Sequence, residues 1–312
     1  MSKPVILVTA ADLAPEAMSL LTEFNVVFAG KTPSEDDIVR LCGDHNPVAI
    51  IVRYGKVGYQ AMDASPNLRV ISKHGSGTDT IDKEAANERG IQVTAAVGAN
   101  AAAVAEHAVA LMLACAKSIV GLDARMRAGH WDKATHKSIE LDGRVVGVVG
   151  LGAIGRRFAA IAHAMNMRVL GFDPYASPLP DYIELVTLPD LLSNSDVVSL
   201  HCPLTDENRN FINAGTLASL KRGAILVNTA RGGLIDEGAL LEAVRSGQLS
   251  SAGLDSFHVE PMLPSHDFHQ EPRILLTPHI GGVTADAYTK MGVASVGNVL
   301  NVLRQSRTSV PV

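Results

Sequence analysis

The run Val145-Val146-Gly147-Val148-Val149-Gly150-Leu151-Gly152-Ala153-Ile154-Gly155-Arg156 sets three glycines in a G-x-G-x-x-G pattern directly after an apolar segment. Each glycine has a job in holding a pyrophosphate. Gly150 permits a tight turn, Gly152 lets backbone approach the ligand, and Gly155 lets a helix pack closely on a strand. The N–H groups that open the helix face the phosphate oxygens. A second apolar segment, 168–172, ends in Asp173, about 20 residues on, where a carboxylate accepts hydrogen bonds from a ribose diol. Asp173 favours NAD over NADP, because a 2'-phosphate would meet like charge and Pro174-Tyr175-Ala176 offer no cation. As a turn former before Pro174 it is compatible with either role.

The elements that must position this chemistry follow from the apolar pattern. Runs at 145–149, 168–172, 197–200, 224–227, 251–254 and 274–276 are nearly continuous in apolar residues, as in strands buried on both faces. They end in Asp173, His201, Asn228 to Arg231, Asp255 and His279. Ligands of open α/β sheets bind outside the carboxyl ends of the strands, so these ends point to one shared site. The first hundred residues alternate in the same way. Strands fit 5–9, 25–28, 48–52, 68–72 and 91–94, and helices fit 15–22, 34–43 and 81–88. One long helix is expected from Asn100 to about Gly129, and another from Ala285 to about Leu303. The fold class is therefore α/β, with two Rossmann-like doubly wound parallel-sheet domains. With the glycine pattern at residue 150 the first domain is expected to have another task, and a returning last helix would make it discontinuous: the expected division is 1–99 plus 285–312 as a flavodoxin-like substrate-binding domain and 100–284 as a NAD-binding domain.

Composition narrows the function classes. The 312 residues carry 27 Lys plus Arg against 32 Asp plus Glu, a net charge of -5, which argues against a nucleic-acid partner. Cys42, Cys115 and Cys202 are far apart and odd in number, which suits a reducing compartment. The N-terminus enters an apolar strand too soon for a signal peptide. The Ala-rich stretch 99–116, interrupted by Glu106 and His107, reads as a buried helix and not a membrane span. The expected setting is the cytoplasm. No H-E-x-x-H or paired-cysteine spacing suggests a metal, and no nucleoside-triphosphate phosphate loop or nucleophile elbow is present.

Six stretches together carry a family resemblance. They are Gly150-Leu151-Gly152-Ala153-Ile154-Gly155, His201-Cys202-Pro203-Leu204-Thr205, Asn228-Thr229-Ala230-Arg231-Gly232-Gly233, Asp255-Ser256-Phe257 through Glu260-Pro261, Thr277-Pro278-His279-Ile280-Gly281-Gly282, and His74-Gly75-Ser76-Gly77-Thr78-Asp79-Thr80-Ile81-Asp82. With these stretches in their order along the chain, it resembles the D-isomer-specific 2-hydroxyacid dehydrogenases, in a short form akin to phosphoglycerate dehydrogenases and hydroxypyruvate reductases. The resemblance implies a catalytic set of Arg231, Glu260 and His279 with NAD as cofactor. The chemistry is coherent. Reduction of a 2-oxo acid needs a hydride at carbon and a proton at oxygen, and a histidine donates protons near neutral pH. A paired Glu260 stabilises the imidazolium. Arg231 offers a planar fork to a carboxylate.

The same resemblance implies cofactor contacts at Ser76, Val104, Gly150, Gly152, Ala153, Ile154 and Gly155. It extends them to Asp173, Cys202 through its backbone, Thr229, Ala230, Arg231, Asp255, His279 and Gly282. Substrate is expected at Arg53, Tyr54, Gly75, Ser76, Gly77, Arg231 and His279, the two glycines exposing amides that suit a carboxylate. Tyr54 stands where the family carries a small polar residue, which narrows the pocket. Arg53 and Lys56 are candidates for a second anion. Hydroxypyruvate, glyoxylate, phosphoglycerate-type and larger 2-oxo acids all stay open as the small-molecule partner. The alternative function is an NAD-sensing, corepressor-like binding protein. Formate-type oxidation is disfavoured, since that branch carries Gln in place of Glu260. A homodimer is expected through the Ala-rich helix and the segment containing Trp131.

Overall fold

The computed structural model describes residues 3–176 and 178–308. The chain divides into two compact units, Met1–Asn100 with Val283–Val312, and Ala101–Gly282.

The first unit alternates β1 (Val5–Val8), α1 (Pro15–Met18), β2 (Asn25–Phe28), α2 (Glu35–His45), β3 (Ala49–Val52), α3 (Tyr59–Asp63), β4 (Val70–Lys73), α4 (Lys83–Glu88) and β5 (Gln92–Ala95). The strands form one parallel sheet in the order β2-β1-β3-β4-β5. Alternate side chains feed two cores. Leu7, Ile50 and Val52 enter the core on one face, and Ile6, Val8, Ala49 and Ile51 the core on the other. This explains the unbroken apolar runs, since neither face of the sheet meets water. Helix α2 starts where Ser34 and Asp37 cap each other reciprocally.

The second unit contains α5 (Ala101–Lys117), α6 (Ile119–Arg127), β6 (Val145–Val149), α7 (Ala153–Ala164), β7 (Arg168–Phe172), β8 (Ile183–Leu185), α8 (Leu188–Asn194) and β9 (Val197–Leu200). It continues through α9 (Ala214–Ser219), β10 (Ala224–Asn228), α10 (Glu237–Arg245), β11 (Leu249–Leu254) and β12 (Ile274–Leu276). Its seven strands are all parallel, ordered β12-β11-β10-β9-β6-β7-β8. The order reverses between β6 and β9, the switch point where doubly wound sheets bind ligands. The closing helix α11 (Ala285–Thr308) belongs to the first unit and packs on β4, β5 and α1.

The observed elements differ from expectation in two ways. The single helix expected from Asn100 to Gly129 is two, α5 and α6, meeting at 60°. Ser118 adopts φ 51 and ψ 36 in the left-handed region, which no right-handed helix can pass through. The returning chain takes the helix's bonds: Ile139 N–H donates to Ala116 O at 2.8 Å and Lys117 Nζ to Ile139 O at 2.8 Å. The helices α3, α8, α9 and α10 and the edge strand β8, all short, also lay outside the elements named from the sequence. Among the described residues no single helix is long and apolar enough to cross a membrane.

Candidate active site

The glycine turn after β6 has the geometry its sequence implies. Gly150 has φ +93, and a Cβ there would lie 2.6 Å from Cys202 N, so the ends of β6 and β9 abut at the switch point. A Cβ on Gly155 would lie 2.0 Å from Gly150 O, which only glycine tolerates in so close a helix–strand contact. A Cβ on Gly152 would meet nothing within 4 Å. That open space, beside the start of α7 at Ala153 and Ile154, is where backbone could approach a pyrophosphate. Gly152 caps α7 without a side-chain bond, so the first N–H groups stay available to an anion. The residues present therefore fit a dinucleotide.

Asp173 sits beside this turn with its carboxylate already oriented. Oδ2 accepts from Leu151 N at 2.7 Å and Oδ1 from Tyr175 N at 2.9 Å. Each oxygen keeps a lone pair for a diol. Burial pushes the Cys202 thiol up to about 11, so it carries no thiolate near neutral pH. His201 departs from the expectation that every strand-end polar group joins the site. It lies partly buried against the Phe158 ring at 5.0 Å, bonds Ser199 Oγ at 2.9 Å, and the burial of its ring lowers its pKa to about 3. It is a neutral support behind the glycine turn.

Arg231, Glu260 and His279 converge at the ends of β10, β11 and β12. The 2.7 Å contact of His279 Nδ1 with Glu260 Oε2 is the central one, and Glu260 Oε1 accepts from Phe257 N at 2.9 Å. With Nδ1 committed, Nε2 points to the opposite side of a half-exposed ring. The bond to Glu260 raises the His279 pKa above its ordinary value, outweighing burial. Burial pushes Glu260 up, yet the bonds from His279 and Phe257 hold it below the usual carboxylate range. Arg231 lies close enough for its charge to act on both groups. Gly232 brings it there: a Cβ at that position would lie 2.0 Å from Phe257 C, so the Arg231 loop rests directly on the turn that leads to Glu260. Asn228, fully buried, accepts from Ala230 N and donates to Arg231 O, fixing the same loop. The Thr229 hydroxyl is enclosed and unpartnered, leaving backbone as that residue's contact toward a ligand.

Asp255 has a task that its sequence position did not suggest. Only 2% exposed, it accepts from Thr277 Oγ1 at 2.7 Å, Ile280 N at 2.9 Å and Gly281 N at 2.7 Å. Its carboxylate thereby also holds the segment that carries His279. Gly282 follows that segment, partly exposed, and Val104 is a buried residue of α5.

The remaining predicted residues, Arg53, Tyr54, Gly75, Ser76 and Gly77, belong to the first unit, after β3 and β4. Arg53 lies between the rings of Tyr54 (5.0 Å) and Tyr288 (4.6 Å), and its Nη1 is 3.4 Å from Asp12 Oδ1. Tyr288 donates to the same Asp12 oxygen at 2.6 Å. Burial, followed by the bond to Asp12, raises the Tyr288 pKa to about 12. Beside them His74 is buried with both ring nitrogens unpartnered, and burial lowers its pKa to about 4. Ser76 donates to Asn100 Oδ1 at 3.3 Å, and Gly75 takes φ +143. Sequence reasoning missed Asp12 and Tyr288, because nothing in their neighbours along the chain marks them, and it gave His74 no role although it opens the Gly75-Ser76-Gly77 stretch.

Residues 109–281 match the profile of the D-isomer specific 2-hydroxyacid dehydrogenase NAD binding domain. The chain belongs to this family of NAD-linked oxidoreductases. It is 39% identical over 274 residues to a hydroxypyruvate reductase of Thermotoga maritima, covering 86% of this chain and 88% of that one. It is 35% identical over 300 residues to a D-3-phosphoglycerate dehydrogenase of Archaeoglobus fulgidus, covering 95% of this chain and 56% of that longer protein. The crystal structure of a glyoxylate reductase from Paecilomyes thermophila superposes with a TM-score of 0.88 at 29% identity, over 98% of this chain and 97% of that one.

Proposed function

We propose that this protein interconverts a small 2-oxo acid of glyoxylate or hydroxypyruvate type and the corresponding D-2-hydroxy acid, with NAD(H) as partner. The bound nicotinamide would supply or take the hydride. Arg231 holds the substrate carboxylate and polarises the carbonyl. His279 delivers a proton from Nε2 to the carbonyl oxygen during reduction and removes it during oxidation. Glu260 keeps the imidazole oriented and favours its cation. The observation that carries this reading is the 2.7 Å Glu260–His279 contact with Arg231 close by. The position of Asp173 beside the glycine turn supports NAD over NADP.

Asp12 supports the choice of substrate. Within the first unit Arg53, the candidate for a second anion, already faces the Asp12 carboxylate. A second anion there meets like charge, which is costly. Glyoxylate and hydroxypyruvate place no such demand. Absorbance of NADH, followed with glyoxylate, hydroxypyruvate, a phosphorylated 2-oxo acid and a branched 2-oxo acid, tests this. Turnover of the first two is expected, with kcat/KM at least about tenfold lower for the phosphorylated acid. Binding of NADH without turnover of any acid would overturn the enzymatic reading. Preference for the phosphorylated acid would overturn the role given to Asp12. A cytoplasmic, homodimeric protein completes the proposal. Its cysteines Cys42, Cys115 and Cys202 are unbridged, and the helix α6 buries no residue of its own.

A further inference from the structure

We propose that His107 is a positioning residue for proton transfer: through Thr277 and Asp255 it braces the left-handed turn that presents His279. The proposal rests on His279 being the proton donor. His107 stands on α5, on the same helical face as buried Val104, Ala108 and Leu111, and its Nε2 lies 2.9 Å from Thr277 Oγ1. The direction of each hydrogen bond follows from counting protons. Asp255 is ionised, because the bonds it accepts hold its pKa below the usual range although burial alone would raise it. It can only accept. The single Thr277 hydroxyl proton therefore goes to Asp255 Oδ1, at 2.7 Å. Thr277 Oγ1 must then accept from His107, which fixes the proton on Nε2. The ring is 3.4 Å from Asp255 Oδ1 as well, so the same N–H faces both oxygens.

The brace closes around His279. Its φ of +54 is unusual for a residue with a Cβ. Bonds on both sides hold that conformation. Thr277 is tied to His107 and Asp255 before it, and the N–H groups of Ile280 and Gly281 are tied to Asp255 after it. Gly281 lets the segment sit directly on the pair, since a Cβ there would lie 2.9 Å from Asp255 Oδ2 and 3.4 Å from His107 Cδ2. Loosening one side lets the turn relax and lengthens the Glu260 contact. The charged groups acting on His279 are Glu260 and Asp255, which raise its pKa, and Arg231, which lowers it. A longer contact weakens the strongest of these.

The test compares the parent with His107→Leu, His107→Gln and His279→Ala. For each, kcat and KM for glyoxylate reduction are measured across pH, together with NADH affinity and thermal melting. His107→Leu is expected to lower kcat about 10- to 100-fold. It should move the alkaline fall of the reductive profile to lower pH by about half a unit, and leave NADH affinity within about twofold. His107→Gln, whose amide N–H can replace Nε2–H, should restore most of kcat and of the profile. A His107→Leu enzyme with the parent's kcat and pH profile overturns the proposal, as does a Gln variant no better than Leu. Independently of how the variants fold, nitrogen NMR of the parent must find His107 protonated on Nε2; an Nδ1-only tautomer overturns the brace. Parent-level turnover by His279→Ala would instead overturn the proton-donor reading itself.

Discussion

A histidine that donates a proton near neutral pH needs a neighbour that keeps it charged long enough to act. Glu260 is that neighbour, and the pair makes the pH dependence of the protein predictable. His279 has a raised pKa in the fold, so its protonated form persists to higher pH than the ordinary 6.5. Reduction should therefore stay active below the raised value and fall as pH rises through it. Glu260→Gln keeps the shape but removes the charge. The reductive kcat/KM limb should then move to lower pH, each unit representing about 1.36 kcal/mol of lost preference for the cation. An unmoved limb in the kcat/KM–pH profile would rule out the coupling. The stability that the pair adds has the matching window. The His279 share is complete below 6.5 and is lost as pH rises through the raised value. The Glu260 share is complete above 4.5 and is lost as pH falls through the lowered value. Both groups are half exposed, so this share is small.

At the scale of elements, the turn between β6 and α7 separates two demands that sequence writes with the same letter. A methyl at Gly155 would strike Gly150 O at 2.0 Å and push the helix off the strand. Gly155→Ala should cost about 1–3 kcal/mol of stability and weaken NADH binding with it. A methyl at Gly152 meets no protein atom within 4 Å. Gly152→Ala should therefore melt like the parent yet bind NADH at least about tenfold more weakly, because the methyl occupies the space left for a phosphate. Thermal melting and fluorescence titration with NADH check both. Equal NADH affinity in Gly152→Ala and the parent would place the dinucleotide elsewhere. The second turn of this kind, at Gly232, works toward the substrate side. Its close approach to Phe257 brings the Arg231 loop onto the Glu260 turn.

For the whole molecule, the surface around α6 carries the strongest expectation. Ile119, Val120, Met126 and Trp131 are each more than half exposed, with Trp131 at 76%. Large apolar side chains gathered in one short stretch mark a surface that pairs with protein. A second copy of the chain is the expected partner. Light scattering should give about twice the 32.9 kDa chain mass, and Trp131→Lys with Met126→Lys should halve it. A monomer across a wide concentration range would refute the dimer.

The glycine pattern, the strand ends and the alternation of strand and helix were legible along the chain because each is a local requirement. A tight turn demands glycine where it occurs, and a strand buried on both faces demands consecutive apolar residues. Arg231, Glu260 and His279 could be named only through the family resemblance that the stretches around them carry. The hydrogen bonds that hold them could not. His107 meets Thr277 across 170 residues, and Asp12 meets Tyr288 across 276. No local spacing announces such pairs, although a histidine on the buried face of an Ala-rich helix was a hint that it had a partner. The break at Ser118 is similar. The sequence through 118 suits a helix, and the bond from Ile139 to Ala116 favours ending it there. Asp255 shows the same division most clearly. Its place after β11 marked it as chemically active, but which protein groups its two oxygens would hold depended on where the His279 segment and α5 came to rest. Local sequence specifies which groups are present and how the chain turns beside them. Only packing between distant elements decides which groups saturate one another and which face outward to react.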